Sequence, residues 1–272
     1  DKLLRSAHPE RLLWAFENEI TRVILPEFDE MMEMPQNNPN HKYNVGMHTL
    51  EVIRAAGSST YKEKLIEEAG LSSKEYNIRE DFSEKELRCL RWAALLHDVG
   101  KLKTHVLNEK GYDTFPEHAA AGAVTAKSVM RRLKFDNETT DTVARLVAAH
   151  AHFDMEVTPV SVRRMMHKYG PDIIPLLLEL QTADVLAQSS EHLKEKLDNL
   201  EKIRELYEEC LEKGYCVTLK ELKINGSDII NLLGISGKEV GKKLEEILLA
   251  VIEDPSLNER EKLLELAKKL EA

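Results

Sequence analysis

The sequence predicts an all-α chain, and three observations carry that expectation. Leu, Glu, Lys and Ala dominate a composition that is 42% hydrophobic, 32% charged and only 6% aromatic, a balance that favours helices over half-buried strands. Apolar residues recur at helical spacing through most of the chain. Helix start signals, Ser or Thr with Glu three residues on, or Pro in the first turn, recur between these stripes. A chain of 272 residues is long enough to bury a sizeable core, and we expect it to divide in two.

Leu12, Leu13, Phe16, Ile20, Val23 and Ile24 give one or two amphipathic helices over 9–34, ended by the Pro- and Asn-rich "MPQNNPNHKYN". From Val45 the next stripe runs through Thr49, Val52 and Ala56, with His48 on the same face. A polar connection over 57–82 holds a short helix at 61–69. Ser83 and Glu86 then form a capping box for a helix to Asp98, with Gly100 as its stop, and Leu87, Leu90, Ala94 and His97 share a face.

A second box, Thr114 to Glu117, opens a helix of 117–134 with His118 at its start, and Asn137 caps a stripe of Val143, Leu146, Val147 and His150. Thr158 and Pro159 begin a helix that stops at Gly170. Pro171 to Gln188 is the most apolar helix, with Asp184 among Ile173, Leu176, Leu177, Leu180, Ala183 and Ala187. Past residue 190 come a charged amphipathic helix and a glycine-rich end in which Ser236 and Glu239 form a third box. The expected organisation is a helical linker over 1–40, a main helical domain over 41–200 and a helical tail over 201–272.

The net charge of −10 argues against broad adhesion to nucleic acid but leaves room for local basic patches. Cys89, Cys210 and Cys216 show no CxxC spacing, so neither a disulfide framework nor a cysteine zinc site is expected, which suits a cytoplasmic location. No stretch approaches the roughly 20 apolar residues of a membrane span. The N-terminus lacks the pattern of a signal peptide, and its start at Asp1 suggests a fragment.

Any single histidine on an apolar stripe is more often a satisfied core residue than a ligand. Here four helices each deliver His or Asp to an apolar face: His48, His97 with Asp98, His150, and Asp184. Buried imidazoles and carboxylates are tolerated when paired or metal-bound, and a mixed nitrogen and oxygen donor set suits zinc, manganese, iron or nickel better than calcium. The helix C-terminus at His97 also favours a cation.

"LLHDVGK", preceded by "MHTLEVI" and followed by "TADVLAQ", resembles the HD superfamily of metal-dependent phosphohydrolases, an all-helical bundle. The resemblance implies His48, His97, Asp98 and Asp184 as ligands of a divalent metal (Mn, Ni, Fe, Zn or Mg), with Asp98 catalytic and Lys101 meeting a substrate phosphate. His118 and His150 stand where two-metal members place additional ligands. One ion ranks above two, and His118 is equally open to a capping or surface role. His105, His152 and His167 carry no supporting pattern.

"MPQNNPNHKYNVGMHTLEVI", "HDVGKLKTH", "FPEHAAAGAVTAKSVMRRLKF" and the tail "INGSDIINLLGISGKEVGKKLEEILLAVIEDPSLNEREKLLELAKK" are similar to the C-terminal part of bacterial CCA-adding tRNA nucleotidyltransferases. That implies a body and tail that hold tRNA or an RNA 3′ end. Their polymerase head is not represented, because no Gly-Ser or Gly-Gly pair is followed by a suitably placed Asp-x-Asp. The connection at 57–82 is longer than the family's usual one. Hydrolysis of phosphate esters (2′,3′-cyclic phosphates, 2′-nucleotides or RNA 3′ ends) is the chemistry the resemblance implies for this chain.

In the tail, Lys238, Lys242 and Lys243 with the N–H groups of a glycine-containing helix start could hold an RNA phosphate; alternatively Gly237 and Gly241 only let helices pack closely. Two further readings stand beside the main one: a free-standing HD phosphohydrolase acting on nucleotides, and a non-catalytic RNA-binding body with a structural metal.

Overall fold

The computed structural model describes residues 1–37, 42–151, 156–189 and 191–270. The helices, in chain order, are α1 (Leu12–Glu17), α2 (Ile20–Ile24), α3 (Pro26–Glu33), α4 (Val45–Ala55), α5 (Ser59–Glu68), α6 (Glu84–Leu96), α7 (Lys101–Thr104), α8 (His118–Arg132), α9 (Asn137–Ala149) and α10 (Pro159–Tyr169). They continue with α11 (Ile174–Ala187), α12 (Leu193–Glu212), α13 (Gly226–Leu233), α14 (Lys238–Glu253) and α15 (Arg260–Lys269). A two-stranded antiparallel ribbon, β1 (Val106–Leu107) with β2 (Asp113–Thr114), interrupts the series. The fold is all-α, and no helix of the described residues is long and apolar enough to cross a membrane.

The chain divides into two compact units, Asp1–Asp154 with Pro175–Glu201, and Met155–Ile174 with Lys202–Ala272. In the first, α8 lies along α9, and α6 packs against both α9 and α4. Val52, Ile53, Leu90, Leu95, Met130, Val143 and Leu146 form its buried centre. α11 is apolar on every side, and its three buried polar side chains each meet a partner. Glu179 forms a buried ion pair with Lys62, Gln181 Nε2 donates to the His150 carbonyl at 3.1 Å, and Asp184 meets His48. The second unit has its own core, in which Ile229, Ile247, Leu248, Val251, Ile252 and Leu263 are fully covered.

Several local expectations hold. Ser83 caps α6 through a reciprocal box with Glu86, and Thr158 caps α10, which ends at Gly170 with φ 89°. Others are corrected. Thr114 is drawn into the ribbon, its Oγ1 donating to the Val106 carbonyl at 3.0 Å, and α8 starts at His118 behind a left-handed Glu117 with no side-chain cap. Asp136, not Asn137, caps α9. No box forms at Ser236 either: Gly237, at φ 62°, takes the N-cap position of α14 without a side-chain cap. The apolar residues of 9–34 fall on short, separate helices, which leaves Ile20, Val23 and Ile24 exposed.

Gly100 does not stop α6 by a left-handed turn. Its φ is −69°, a value any residue adopts. Its need for glycine is contact: a Cβ there would stand 2.0 Å from the His118 carbonyl oxygen and 2.5 Å from the Gly122 nitrogen. The missing side chain lets the turn after α6 touch the start of α8, which sets the approach of His118 to Asp98. At Gly241, in contrast, a Cβ would meet nothing within 4 Å.

Gly100→Ala is therefore expected to cost roughly 3 kcal/mol or more through backbone overpacking, whereas Gly241→Ala should be neutral or stabilise by up to about 1 kcal/mol. Denaturant unfolding of the two variants measures both.

Candidate metal centre

The polar side chains singled out in the sequence converge in the first unit. His48 projects from the first turn of α4. His97 is the C-cap of α6 and Asp98 follows it. His118 is the first residue of α8, His150 the C-cap of α9, and Asp184 lies in α11. His48, His97, Asp98, His150 and Asp184 are buried, and His118 is partly open, with 21% of its side chain exposed.

Asp98 is the hub. Its Oδ2 lies 3.2 Å from His97 Nε2 and 3.7 Å from His48 Nε2, and its Oδ1 lies 3.7 Å from both His118 Nε2 and His150 Nε2. Two trios thus share one carboxylate, His48–His97–Asp98 and Asp98–His118–His150, each with its ligand atoms within 4.8 Å of one another. Asp184 Oδ1 closes the first side, 2.9 Å from His48 Nε2 and 3.9 Å from His97 Nε2.

The backbone dictates which ring nitrogens face inward. His97 Nδ1 lies 2.8 Å from the Ala94 carbonyl, His118 Nδ1 2.8 Å from the Phe115 carbonyl and His150 Nδ1 2.7 Å from the Val147 carbonyl. A carbonyl oxygen only accepts, so each Nδ1 carries the proton and each neutral ring presents a bare Nε2 to the centre. His118 and His150 then aim two lone pairs at each other across 3.2 Å. That is repulsive unless a cation sits beside them, either an extra proton or a metal ion. Burial pushes the His118 imidazole below its ordinary pKa, outweighing the pull of Asp98, which disfavours the extra proton there.

Asp98 Oδ2 is buried and accepts no hydrogen bond; Lys101 Nζ stands 2.8 Å away as an ion-pair partner but off the hydrogen-bonding direction. A carboxylate in this position, with bare imidazole nitrogens on both sides, is a donor set that fits divalent ions. Second-layer carbonyls that fix the rings are the arrangement expected around such ions.

Burial alone would push the Asp98 carboxyl up, but His97 and Lys101 beside it hold it well below the usual carboxylate range. Asp184 is likewise held low, burial being outweighed by the His48 hydrogen bond and charge. His97 moves the other way: burial lowers it, yet Asp98 and Asp184 raise it above the ordinary histidine value.

Lys101 is buried, hydrogen-bonded to Gln36 Oε1, and lies over the Phe115 ring at 5.1 Å. Gln36 was not apparent from the sequence, since it stands in a Pro- and Asn-rich stretch that signals only a loop. His105, which had no supporting pattern, pairs with Asp113 at 2.6 Å, and Asp113 also accepts from the Asn37 N–H at 2.6 Å; together they tie the ribbon to the segment carrying Gln36. His167 belongs to the second unit, where it meets Glu245 and the Val217 carbonyl, and His152 lies outside the described residues.

Of the tail lysines, Lys238 and Lys242 are exposed at the start of α14. Lys243 is engaged at home, 2.7 Å from Glu246 and 3.1 Å from the Leu270 carbonyl. Close packing does not explain the tail glycines, because a Cβ at Gly237 or Gly241 would meet no atom within 4 Å.

Residues 45–189 match the HD domain family, and residues 118–267 match tRNA nucleotidyltransferase domain 2. The chain belongs to the HD domain family. It is 32% identical over 168 residues to the CC-adding tRNA nucleotidyltransferase of Thermus thermophilus, covering 60% of this chain and 36% of that protein. The A-adding tRNA nucleotidyltransferase of Deinococcus radiodurans is 29% identical over 62% of this chain and 38% of its own length. A bifunctional uridylyltransferase/uridylyl-removing enzyme of Gluconobacter oxydans is 28% identical over 79% of this chain and 22% of its own length. The HD chain therefore spans less than two fifths of each of these relatives.

In metal-free protein, the depressed carboxyls of Asp98 and Asp184 give stability that is complete above the unfolded value of about 3.9 and is lost as pH falls through their folded values. His97 contributes in the opposite sense, fully below its unfolded value of about 6.5 and less as pH rises through its raised folded one. Asp98→Asn should therefore flatten the acid limb of the stability curve below about pH 4 in chelator-treated protein, as read from urea midpoints between pH 2 and 7.

Proposed function

We propose that this chain is the HD portion of a CCA-adding type tRNA nucleotidyltransferase and that its metal centre hydrolyses phosphate esters. The observation that carries the hydrolase reading is the set of inward-facing Nε2 atoms gathered on both sides of Asp98. His48, His97, Asp98 and Asp184 would hold one divalent ion, and Asp98, His118 and His150 a second. A divalent ion in such a place supplies Lewis acidity toward a phosphoryl oxygen and acidifies water.

The remaining work falls to this chain's own groups. Asp98 is shared between the two sides and fixes their separation. The carbonyls of Ala94, Phe115 and Val147 keep protons on the outer ring nitrogens, so the inner ones stay basic. Lys101, held by Gln36 and by the Asp98 charge, would donate to a substrate phosphate oxygen. His118, the partly exposed member, marks the side from which substrate enters.

The substrate class we favour is the 2′,3′-cyclic phosphodiester or 2′-phosphate of a nucleotide or RNA 3′ end. One relative is a uridylyl-removing enzyme, and removing a uridylyl group breaks a phosphoester bond, which supports the reaction class independently of the tRNA relatives. For RNA, Lys238 and Lys242 flank a helix start that has no side-chain cap, so its first N–H groups are free to meet a phosphate. Lys243 would join them only by leaving Glu246.

Elemental analysis and turnover of 2′,3′-cyclic AMP with added manganese or nickel test the centre. Asp98→Ala should lose metal and more than about 100-fold in turnover, while His118→Ala should lower the metal stoichiometry without emptying the site. Full metal retention in Asp98→Ala would sink the ligand assignment.

For the tail, replacing Lys238 and Lys242 with Gln should weaken tRNA binding and reduce its salt slope by about 1 per lost phosphate contact. An unchanged slope would remove the tail from the interface.

A further inference from the structure

A polar cavity lies further along the two helices that deliver His48 and His97. It has a volume of about 580 Å³ and is lined by Arg91 of α6, Arg54 of α4 and the start of α5 at Ser58 and Thr60, a size within the usual range for small-ligand sites of roughly 300–1,000 Å³. Arg54 stands six residues from His48 and Arg91 six from His97, about 9 Å along each helix. The cavity is thus separate from the metal centre and uses none of its side chains.

Arg91 is the unusual group. It is 96% buried, with 4% of its surface exposed. One arm is used, Nη1 donating to the Leu4 carbonyl at 2.9 Å, but Nε is buried without a hydrogen-bond partner. The open edge of the guanidinium, Nε with Nη2, faces Gly57: a Cβ on that residue would come within 3.4 and 3.8 Å of the two nitrogens. Gly57 is at φ 73°, and a Cβ there would clash with Leu87 Cδ1 at 2.4 Å, so the turn carries no side chain beside the fork.

Buried arginines normally meet a carboxylate, because an uncompensated guanidinium in a low-dielectric site is costly. Arg91 forms no ion pair among the described residues. Burial pushes it down to about 10, with only Glu10 acting against that shift. Glu10 itself is hydrogen-bonded to His8 at 3.1 Å.

Arg54 lies over the Tyr61 ring at 4.1 Å and also pairs with no carboxylate among the described residues. Arg5, the third arginine of the cavity wall, is already taken by Asp1 and Glu84. Two cations therefore share the charge of one acid, Glu10, and neither is ion-paired with it.

The third component is a helix start. Ser58 caps α5, its Oγ accepting from the Tyr61 N–H at 3.3 Å. The N–H groups of Ser59 and Thr60, at the first two helical positions, have no intrahelical carbonyl within reach and point out of the helix end, where its dipole favours an anion. The fork edge of an arginine, a second arginine and a helix N-terminus are complementary to the oxygens of a phosphate.

We propose that this cavity binds a phosphate monoester of nucleotide size, its phosphate seated on the open edge of Arg91 and against Arg54 and the α5 N-terminus. The site is independent of the hydrolytic reading of the metal centre and is tested without it.

The experiment is calorimetric titration of inorganic phosphate, AMP and a short single-stranded RNA into the full chain, before and after treatment with EDTA. The expected result is one site for phosphate and for AMP that survives EDTA and survives Asp98→Asn. Arg54→Gln, a partly exposed position, should weaken both ligands at least 10-fold, and Arg91→Lys, which keeps the charge but loses the fork, should do the same. If the Arg91 variant does not fold, Arg54→Gln alone decides.

Loss of all phosphate binding with EDTA would assign it to the metal centre and overturn the proposal, as would titrations unchanged by Arg54→Gln. Binding confined to the RNA and weakened by Arg54→Gln would overturn the nucleotide-sized occupant in favour of a strand phosphate.

Discussion

One buried carboxylate organises the first unit. Asp98 is approached by imidazoles from α4, α8 and α9 and by its own neighbour His97, with Nε2 atoms 3.2 to 3.7 Å from its oxygens. Each of these groups is expensive to bury alone, and their mutual arrangement leaves lone pairs facing lone pairs. The arrangement is stable only around positive charge. α6 and α9 both end at the cluster, with His97 and His150 as their C-caps, and helix C-termini add partial negative charge to that of the carboxylates. α4 and α8 begin at the same cluster and offset those C-termini, so it is ring tautomer and carboxylate placement that demand a cation there.

That demand explains packing that would otherwise be arbitrary. His118 reaches Asp98 because Gly100 and Gly122 let the turn after α6 touch α8. Asp184 reaches His48 from a helix that is apolar on every side, where a carboxylate without a partner would be strongly disfavoured. The same helix places Gln181 under the His150 carbonyl, at the end of α9 whose preceding turn holds the His150 ring. Positioning groups are thus distributed over the core, and the site is as rigid as the core that carries it.

Much of this was legible in the sequence, for a physical reason. Helical stripes record which face is buried, so a His or Asp on a stripe announces itself as a buried polar group, and His48, His97, His150 and Asp184 were all visible in that way. Local capping was less legible. Asp136 and Asn137 are adjacent and equally good caps, and only the packed helix decides between them. Thr114 satisfies the pattern of a capping box but is claimed by the ribbon. Gly100 follows a helix and so reads as a stop signal, although its cause is a contact with residues that follow 18 and 22 positions later. Gln36 and Asp113 act through contacts made only in the folded chain, and nothing in their local pattern marks them.

Two stretches of the α4–α6 pair illustrate how one scaffold sorts charge. At one, two carboxylates and bare imidazole nitrogens make a place for cations. At the other, Arg54 and Arg91 stand without ion-paired carboxylates beside the N-terminus of α5, which carries the opposite partial charge. The helices cross a distance of about 9 Å between the two, short enough for unscreened interaction through a low-dielectric core. Positive charge at the arginine end should disfavour a cation at the other, and an anion seated there would relieve that opposition.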